Sequence, residues 1–239
     1  QFAINTQTLL AQNWTGKINA DWNNSANWTS WPLNNATITI DTINYLGIKA
    51  SPVISNASVF VPRKILMQNG SKLIIQNNLT TIDNVDVIGR GTVLTINSGN
   101  IDIGVSNNGR LMADLNGNII INNGTITTGK SLAVGGGSNI TMNNGTVNAL
   151  QRLLVDLGVQ FFFENGNIVV GQRLAVSGGD IFNSSLFKMN GGNLTVNTEI
   201  NFVNEFGGFT PTFNLTGGTL TVNGNVLWFA QGRKLLIQG

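Results

Sequence analysis

The sequence predicts an all-β fold, a parallel β-helix solenoid in which each rung of 21–26 residues contributes three short strands. The main observation is a pattern that recurs six times between residues 94 and 222, each time with a glycine two places before an apolar residue. Those apolar residues are Ile101, Ile126, Val147, Ile168, Leu194 and Leu220. A period of roughly 20–50 residues is typical of solenoids, whose equivalent strands stack in parallel about 4.8 Å apart. The general crossover rule favours a right-handed helix.

Two further apolar pairs keep a fixed distance from each of these residues and complete the three strands. One pair lies seven and five places earlier, as Phe161 and Phe163 do before Ile168. The last five copies add a pair six and eight places later, such as Leu174 and Val176. Apolar residues two places apart point to the same face of a strand, so we expect all three pairs to face one core. A β-sandwich is the rival architecture, but it does not explain why six copies share one set of offsets.

The residues between the strands predict tight turns and a polar ladder. The glycine of each copy follows Asn, Ser or Gly, a combination that tolerates the positive φ of a sharp corner. Four copies carry asparagine two places before that glycine, which predicts side-chain amides bonded along the stack. These are Asn97, Asn122, Asn143 and Asn190. Arg152, Arg173 and Glu199 share one position in successive rungs, at one edge of the stack, and Arg173 with Glu199 predicts an ion pair at the surface.

Residues 1–45 differ from the repeats and predict a cap over one end of the solenoid. Four of the five tryptophans, Trp14, Trp22, Trp28 and Trp31, fall within 18 residues. An open solenoid end exposes apolar core and unpaired strand edges, so it needs a cover. A platform for stacking sugars is the alternative interpretation of the cluster.

The stretch Asn13-Trp14-Thr15-Gly16, followed by Asp21-Trp22 and then Trp28, resembles a motif of exported bacterial surface proteins, W-x-G … D-W-x5-W. Those proteins include repeat-rich secreted proteins of Bacteroidota and the passengers of autotransporter and filamentous adhesins. In them the motif precedes β-solenoid repeats. The resemblance implies export and display on a bacterial surface, and it carries no catalytic residues. The start at Gln1 rather than Met fits a chain whose signal peptide has been removed.

The repeat pattern divides the chain into three parts. Residues 1–45 form the predicted cap, residues 46–93 form irregular rungs, and residues 94–239 form the regular rungs. After the sixth copy, Leu235 and Ile237 begin a further copy of which only the first strand is present. We therefore expect further repeats of a longer chain or other protein subunits as partners, and a minimal cap formed by Trp228 and Phe229 is the alternative.

Composition excludes several classes of function. The chain has no cysteine and no histidine, which excludes disulfides, a histidine-containing catalytic triad and histidine-bound zinc. Only 10% of its 239 residues are charged, the formal net charge is +2, and the basic residues are scattered singly. This predicts no nucleic-acid partner. Without an apolar run of about 20 residues, we expect no membrane span. No phosphate-binding or calcium-binding motif occurs, so no metal or cofactor is expected.

Parallel β-helices include polysaccharide lyases and glycosidases, and glycosidases need two carboxylates close together. Asp156, Glu164 and Asp180 take different positions in their rungs and do not align. We therefore expect no enzymatic activity.

Two long connections between rungs provide the candidate site for a partner or glycan. Residues 177–186 and 203–212 take the place of the five-residue turns of shorter rungs, at the same corner of the solenoid. Their acidic and aromatic residues are Asp180, Phe182, Glu205, Phe206 and Phe209. Insertions on one face of a solenoid often bind ligands. Contacts between the two loops are the structural alternative.

We predict a non-enzymatic, secreted β-solenoid of the bacterial cell surface: a stalk, fibre or adhesin-type attachment module, with surface glycans as a further class of partner. A carbohydrate-binding or polysaccharide-degrading β-helix is the alternative. Ice binding is a lesser alternative, because a stripe of threonine and asparagine from Thr125 to Thr221 faces outward, interrupted by Val169.

Overall fold

The computed structural model of the protein confirms an all-β solenoid built from three parallel sheets. It describes residues 12–32, 34–42, 50–178, 184–203, 211–229 and 234–237. Within these ranges the one helix is a 3₁₀ turn at Ser25–Asn27, and the sheets contain ten, nine and seven strands. We call the ten-, nine- and seven-stranded sheets A, B and C, and the chain runs within each rung from sheet B to sheet C to sheet A.

The strands are given for each sheet in their order along the stack. Sheet A consists of Gln12–Asn13, Thr37–Asp41, Lys64–Gln68, Val85–Ile88, Arg110–Asp114, Ser131–Val134, Arg152–Val155, Arg173–Ser177, Glu199–Val203 and Asn225–Phe229. Sheet B consists of Val53–Ile54, Lys72–Ile75, Val93–Ile96, Asn118–Ile121, Asn139–Met142, Gln160–Phe163, Leu186–Met189, Thr212–Leu215 and Lys234–Ile237. Sheet C consists of Leu79–Thr81, Asn100–Ile103, Thr125–Thr128, Thr146–Ala149, Asn167–Val170, Asn193–Val196 and Thr219–Val222.

The register of the sheets follows the sequence repeat. In sheet A, Leu132 pairs with Leu153, and Leu153 pairs with Leu174. Equivalent residues therefore form rows along the stack, and each inward row contributes to one continuous core. Ile65 and Val85 join the same inward row before the regular copies begin.

The core is apolar and closely stacked, as the offsets predict. Phe163, Ile168, Leu174 and Val176 are fully buried, which confirms that the three strands of a rung face one interior. Phenylalanines of successive rungs lie face to face, with ring centroids of Phe161 and Phe187 4.8 Å apart and those of Phe187 and Phe213 4.9 Å apart. This distance matches the rung spacing of about 4.8 Å, so the aromatic row follows the backbone ladder.

The predicted tryptophan cluster is present, although one of its four members, Trp31, is 37% exposed, with its ring centroid 5.7 Å from that of Phe60. Trp14, Trp22 and Trp28 are buried, with ring centroids 4.8–6.2 Å apart. Their indole N–H groups donate hydrogen bonds to Ala50 O, Ser58 Oγ and Trp22 O, respectively. Such burial leaves no open aromatic platform among these three rings, so they pack as the end of the core rather than as a surface for sugars.

The turn glycines are required for two physical reasons. Gly166 has a φ of 104°, a region that other L-residues rarely adopt. A Cβ at this position would also lie 2.4 Å from the carbonyl oxygen of Gly145 in the preceding rung. The same relation holds one rung further, where a Cβ on Gly192 would lie 2.5 Å from Gly166 O. Close stacking of the corners therefore depends on glycine.

Side-chain amides form the predicted ladder along one corner. Asn122 Nδ2 donates to Asn97 Oδ1 at 2.8 Å, and Asn143 Nδ2 donates to Asn122 Oδ1 at 2.7 Å. Glu164 takes the next place in this row and accepts a hydrogen bond from Asn190 Nδ2 at 2.7 Å. Each of the five rungs from Asn97 to Asn190 therefore contributes one polar side chain to this row, and the Glu164 carboxylate takes the place of one amide.

Candidate functional site

The loop residues proposed from the sequence as a binding site lie outside the residues that the structure describes. These are Asp180, Phe182, Glu205, Phe206 and Phe209. That site therefore stays a prediction. At the described edge of the first loop, Ser177 Oγ donates a hydrogen bond to a carboxylate oxygen of Asp156 in the preceding rung.

The two described acids considered for catalysis have structural partners in different corners. Asp156 follows a strand of sheet A and accepts the bond from Ser177, whereas Glu164 follows a strand of sheet B and accepts from Asn190. Over the ranges described above, no group of three or more His, Cys, Asp or Glu side chains is arranged to hold a metal ion.

The outward face of sheet C carries two rows made mainly of threonine and asparagine. Its two outward rows are Asn100, Thr125, Thr146, Asn167, Asn193 and Thr219, and Thr80, Asp102, Thr127, Asn148, Val169, Thr195 and Thr221. Asp102 and the exposed Val169 interrupt the second row. Ice binding needs a regular hydroxyl lattice and stays a prediction, which thermal hysteresis of the protein and of its Thr127→Lys variant would test.

One end of these rows borders a cleft of about 400 Å³. Asp102 and Thr127 form part of its floor, and the connection from Gly104 to Asn107 forms a wall. Asn107 Nδ2 fixes this wall to the preceding rung by donating to Ile82 O at 3.3 Å. The cleft carries a single carboxylate, which is too few oxygen ligands for a calcium ion.

Four basic residues form a line along the corner where sheet C leads into sheet A, and we call this line the basic edge. It consists of Arg110, Lys130, Arg152 and Arg173, one from each of four successive rungs. Arg110, Arg152 and Arg173 share one register row, in which Ser131 takes the place between Arg110 and Arg152, and Lys130 precedes Ser131 by one residue. The backbone fixes their order: Lys130 N donates to Gly109 O at 2.8 Å, and Arg152 N donates to Lys130 O at 3.0 Å. Arg152 and Arg173 are register partners one rung apart, about 4.8 Å at the backbone, and Arg110 and Arg152 lie two rungs apart, roughly 10 Å.

Charge on the basic edge is only partly neutralised. Arg173 Nη1 lies 3.6 Å from Glu199 Oε1, which confirms the ion pair expected from the sequence. In the part of the chain that the structure describes, Arg110, Lys130 and Arg152 form no ion pair. Exposed like charges repel weakly, by about 1 kcal/mol in water even at 4 Å. An anion placed between these side chains would relieve that repulsion.

Polar side chains surround the end of the basic edge that Arg152 and Arg173 form. A shallow concavity of about 490 Å³ is lined by Arg152, Gln172, Arg173, Thr198 and Glu199. The side chains of Gln172 and Thr198 are exposed and make no hydrogen bond to described residues. One rung earlier, Gln151 Nε2 donates to Asn108 Oδ1 at 2.8 Å, which holds that side chain against the surface.

The basic edge corrects the expectation of singly scattered basic residues. Arg110, Lys130, Arg152 and Arg173 are 20–22 residues apart in sequence, which is one rung, so winding the chain brings them together. The repeat period was the signal that could have found them. Only Arg152 and Arg173 share an offset in the sequence pattern, because an insertion in the rung of Arg110 hides its alignment.

No protein-family model, curated protein or solved structure matches the chain. Among the described residues, no helix is both long and apolar enough to cross a membrane. The geometry of the solenoid surface is therefore the basis for a functional proposal.

Proposed function

We propose that this protein is a non-enzymatic structural and attachment module, of the adhesin type, displayed outside a bacterial cell. The observation that carries the proposal is the unbroken parallel stack, in which ten strands of sheet A align in register and one apolar core extends from Trp14 to Phe213. Each rung contacts mainly its neighbours, so such a stack is an elongated body that presents long, regular faces.

The surface chemistry supports an attachment role. The faces carry uncharged amides and hydroxyls in rows, several of them bonded between rungs, as between Asn139 and Asn118 at 3.0 Å and between Asn223 and Asn197 at 3.0 Å. Rows of this kind offer repeated hydrogen-bond donors and acceptors to an extended ligand. The W-x-G … D-W-x5-W likeness supports export to a bacterial surface.

Attachment and turnover can be measured on the same set of surfaces. Beads carrying the protein would be washed at controlled shear over films of bacterial and plant polysaccharides and over bacterial cells. The supernatant would be assayed for reducing ends and unsaturated sugars. Beads carrying heat-denatured protein serve as the control. We expect retention of the native protein on at least one surface without release of sugar products.

Two results would contradict the proposal. Release of sugar products by the native protein, absent with the denatured control, would assign an enzyme instead. Equal retention of native and denatured beads on every surface would remove the attachment role.

A further inference from the structure

We propose that the basic edge binds an acidic polysaccharide, whose carboxylate or sulfate groups contact Arg110, Lys130 and Arg152 in successive rungs. This inference rests on the proposed attachment role and names the chemical class of its ligand. The site is the line of cations together with the concavity beside Arg152 and Arg173.

Charge is concentrated on this edge to a degree that is unusual for this chain. The basic edge holds four of the 13 lysine and arginine residues, although the formal net charge of the whole protein is only +2. Earlier basic residues of the same sheet are neutralised: Arg63 Nε lies 2.8 Å from Asp83 Oδ2, and Lys64 Nζ lies 2.5 Å from Asp86 Oδ2. The three consecutive cations without an ion pair therefore form a local positive surface for an anion.

The spacing of the edge suits a linear polyanion. Rungs repeat about every 4.8 Å, so Arg110 and Arg152 lie two rungs apart, roughly 10 Å along the stack. A polymer that carries an acidic group on each residue or on alternate residues can meet several of these cations at once. Arginine adds specificity, because its planar guanidinium donates two parallel hydrogen bonds to a carboxylate or a sulfate.

The residues beside the cations favour a saccharide over a nucleic acid. Gln172 and Thr198 line the concavity and provide an amide and a hydroxyl for sugar hydroxyl groups. Sequence-tolerant binding of single-stranded nucleic acid relies on aromatic side chains that stack on bases. The described residues that line this concavity include no aromatic ring.

The shape of the site favours the interior of a chain over its end. Arg110 and Lys130 are exposed, and Arg152 and Arg173 are half-buried along an open edge. A ligand can thus lie along the stack without entering a closed pocket, and its ends can extend past both neighbouring rungs. Binding is expected to strengthen with ligand length until the four rungs are covered.

The test measures binding of the intact protein to defined oligosaccharides by titration calorimetry. The probes are oligogalacturonate for carboxylate groups, a sulfated dextran fragment for sulfate groups, uncharged dextran of the same length, and a single-stranded oligonucleotide. We expect binding to oligogalacturonate, sulfated dextran or both, at least tenfold tighter than to uncharged dextran or to the oligonucleotide. Affinity should fall as salt is raised, because exposed charges are screened.

A charge-matched pair of variants locates the site. The triple variant Arg110→Gln, Lys130→Gln, Arg152→Gln removes three cations from the basic edge. The control variant Lys72→Gln, Arg90→Gln, Lys188→Gln removes three cations from elsewhere on the surface. We expect the Kd for the acidic ligand to rise at least tenfold in the first variant and less than twofold in the control. Circular dichroism melts would show whether both variants keep the fold.

Several outcomes would overturn the inference. These are absence of binding to both acidic ligands, equal weakening by the two triple variants, and tighter binding to the oligonucleotide than to either acidic saccharide. The bead assay separates this inference from the proposed attachment role. If beads carrying the basic-edge variant are retained as well as beads carrying the native protein, the attachment role stands and the basic edge is not its site.

Discussion

Each turn glycine is required both by its own φ and by the carbonyl oxygen of the rung before it. Gly166→Ala combines a φ of 104° with a Cβ only 2.4 Å from Gly145 O. We expect it to lower the free energy of unfolding by about 2–4 kcal/mol, since strained backbone costs about 1–3 kcal/mol before any clash is counted. Urea melts would measure the loss. Gly135→Ala is the matched control, because its nearest contact is 3.5 Å away and no left-handed φ is required there.

Burial alternates from one residue to the next within a strand, which gives a second prediction. Phe163 is fully buried, while its neighbour Phe162 faces outward and is half-buried. Phe163→Ala should cost about 3–5 kcal/mol as a core truncation. Phe162→Ala should cost about 1 kcal/mol, in proportion to the smaller area removed from water. Equal losses in thermal or urea melts would contradict the assigned strand faces.

Burial could be predicted from the sequence where the alternation of side chains along a strand decides it. It could not be predicted for outward residues that neighbouring side chains cover. The inward positions of Phe163, Ile168 and Leu174 followed from their offsets alone. Asp86 shows the limit: it points outward from sheet A, yet only 2% of the residue is exposed, and Lys64 lies beside it. Nothing in the spacing of Asp86 distinguishes it from an exposed aspartate, because its cover comes from side chains a rung away.

Amide ladders connect the rungs outside the core. Asn122 both donates to Asn97 and accepts from Asn143, so Asn122→Ala removes two side-chain hydrogen bonds. Each is exposed and contributes about 0.5–1.5 kcal/mol at most, so we expect a loss of about 1–2 kcal/mol in urea melts. Asn148→Ala is the control, because the Asn148 side chain makes no hydrogen bond to described residues. A loss at Asn148 as large as at Asn122 would contradict a stabilising ladder.

The ladder could be predicted from the sequence, and the basic edge only at Arg152 and Arg173, for one physical reason. Asparagines of the ladder share an offset from the turn glycine, so their alignment is visible as a repeat. Arg110 follows an insertion between two strands, and Lys130 lies one place before the start of its strand. Their proximity depends on the path of the chain around the corner, which offsets counted from a glycine do not describe.

The tryptophan cap could likewise be predicted from the sequence only in part. Clustering of Trp14, Trp22 and Trp28 predicted a cover for the core, and their burial confirms it. Two of the polar partners that satisfy the indole N–H groups, Ala50 and Ser58, lie 36 residues from the tryptophans that they bind. No local pattern in the sequence identifies those partners.

The molecule as a whole behaves as a one-dimensional stack, so the effect of a substitution depends on how many rungs cover it. In such a stack, stability is approximately the sum of the intrinsic stability of each rung and of the interfaces between neighbours. Leu194 is fully buried between rungs, whereas its equivalent Leu220 is only partly buried. Two identical residues in one inward row therefore report on two different positions along the stack.

This difference predicts unequal effects of the same substitution. Leu194→Ala should lower the free energy of unfolding by about 2–5 kcal/mol, because it opens a cavity between covered rungs. Leu220→Ala should cost about 1 kcal/mol, because part of its surface is already in contact with water. Hydrogen exchange should likewise be slower in the strand Asn193–Val196 than in Thr219–Val222. The two variants could instead lose the same free energy of unfolding at micromolar protein concentration. If the loss for Leu220→Ala then became smaller on dilution, a second copy would cover this rung in solution.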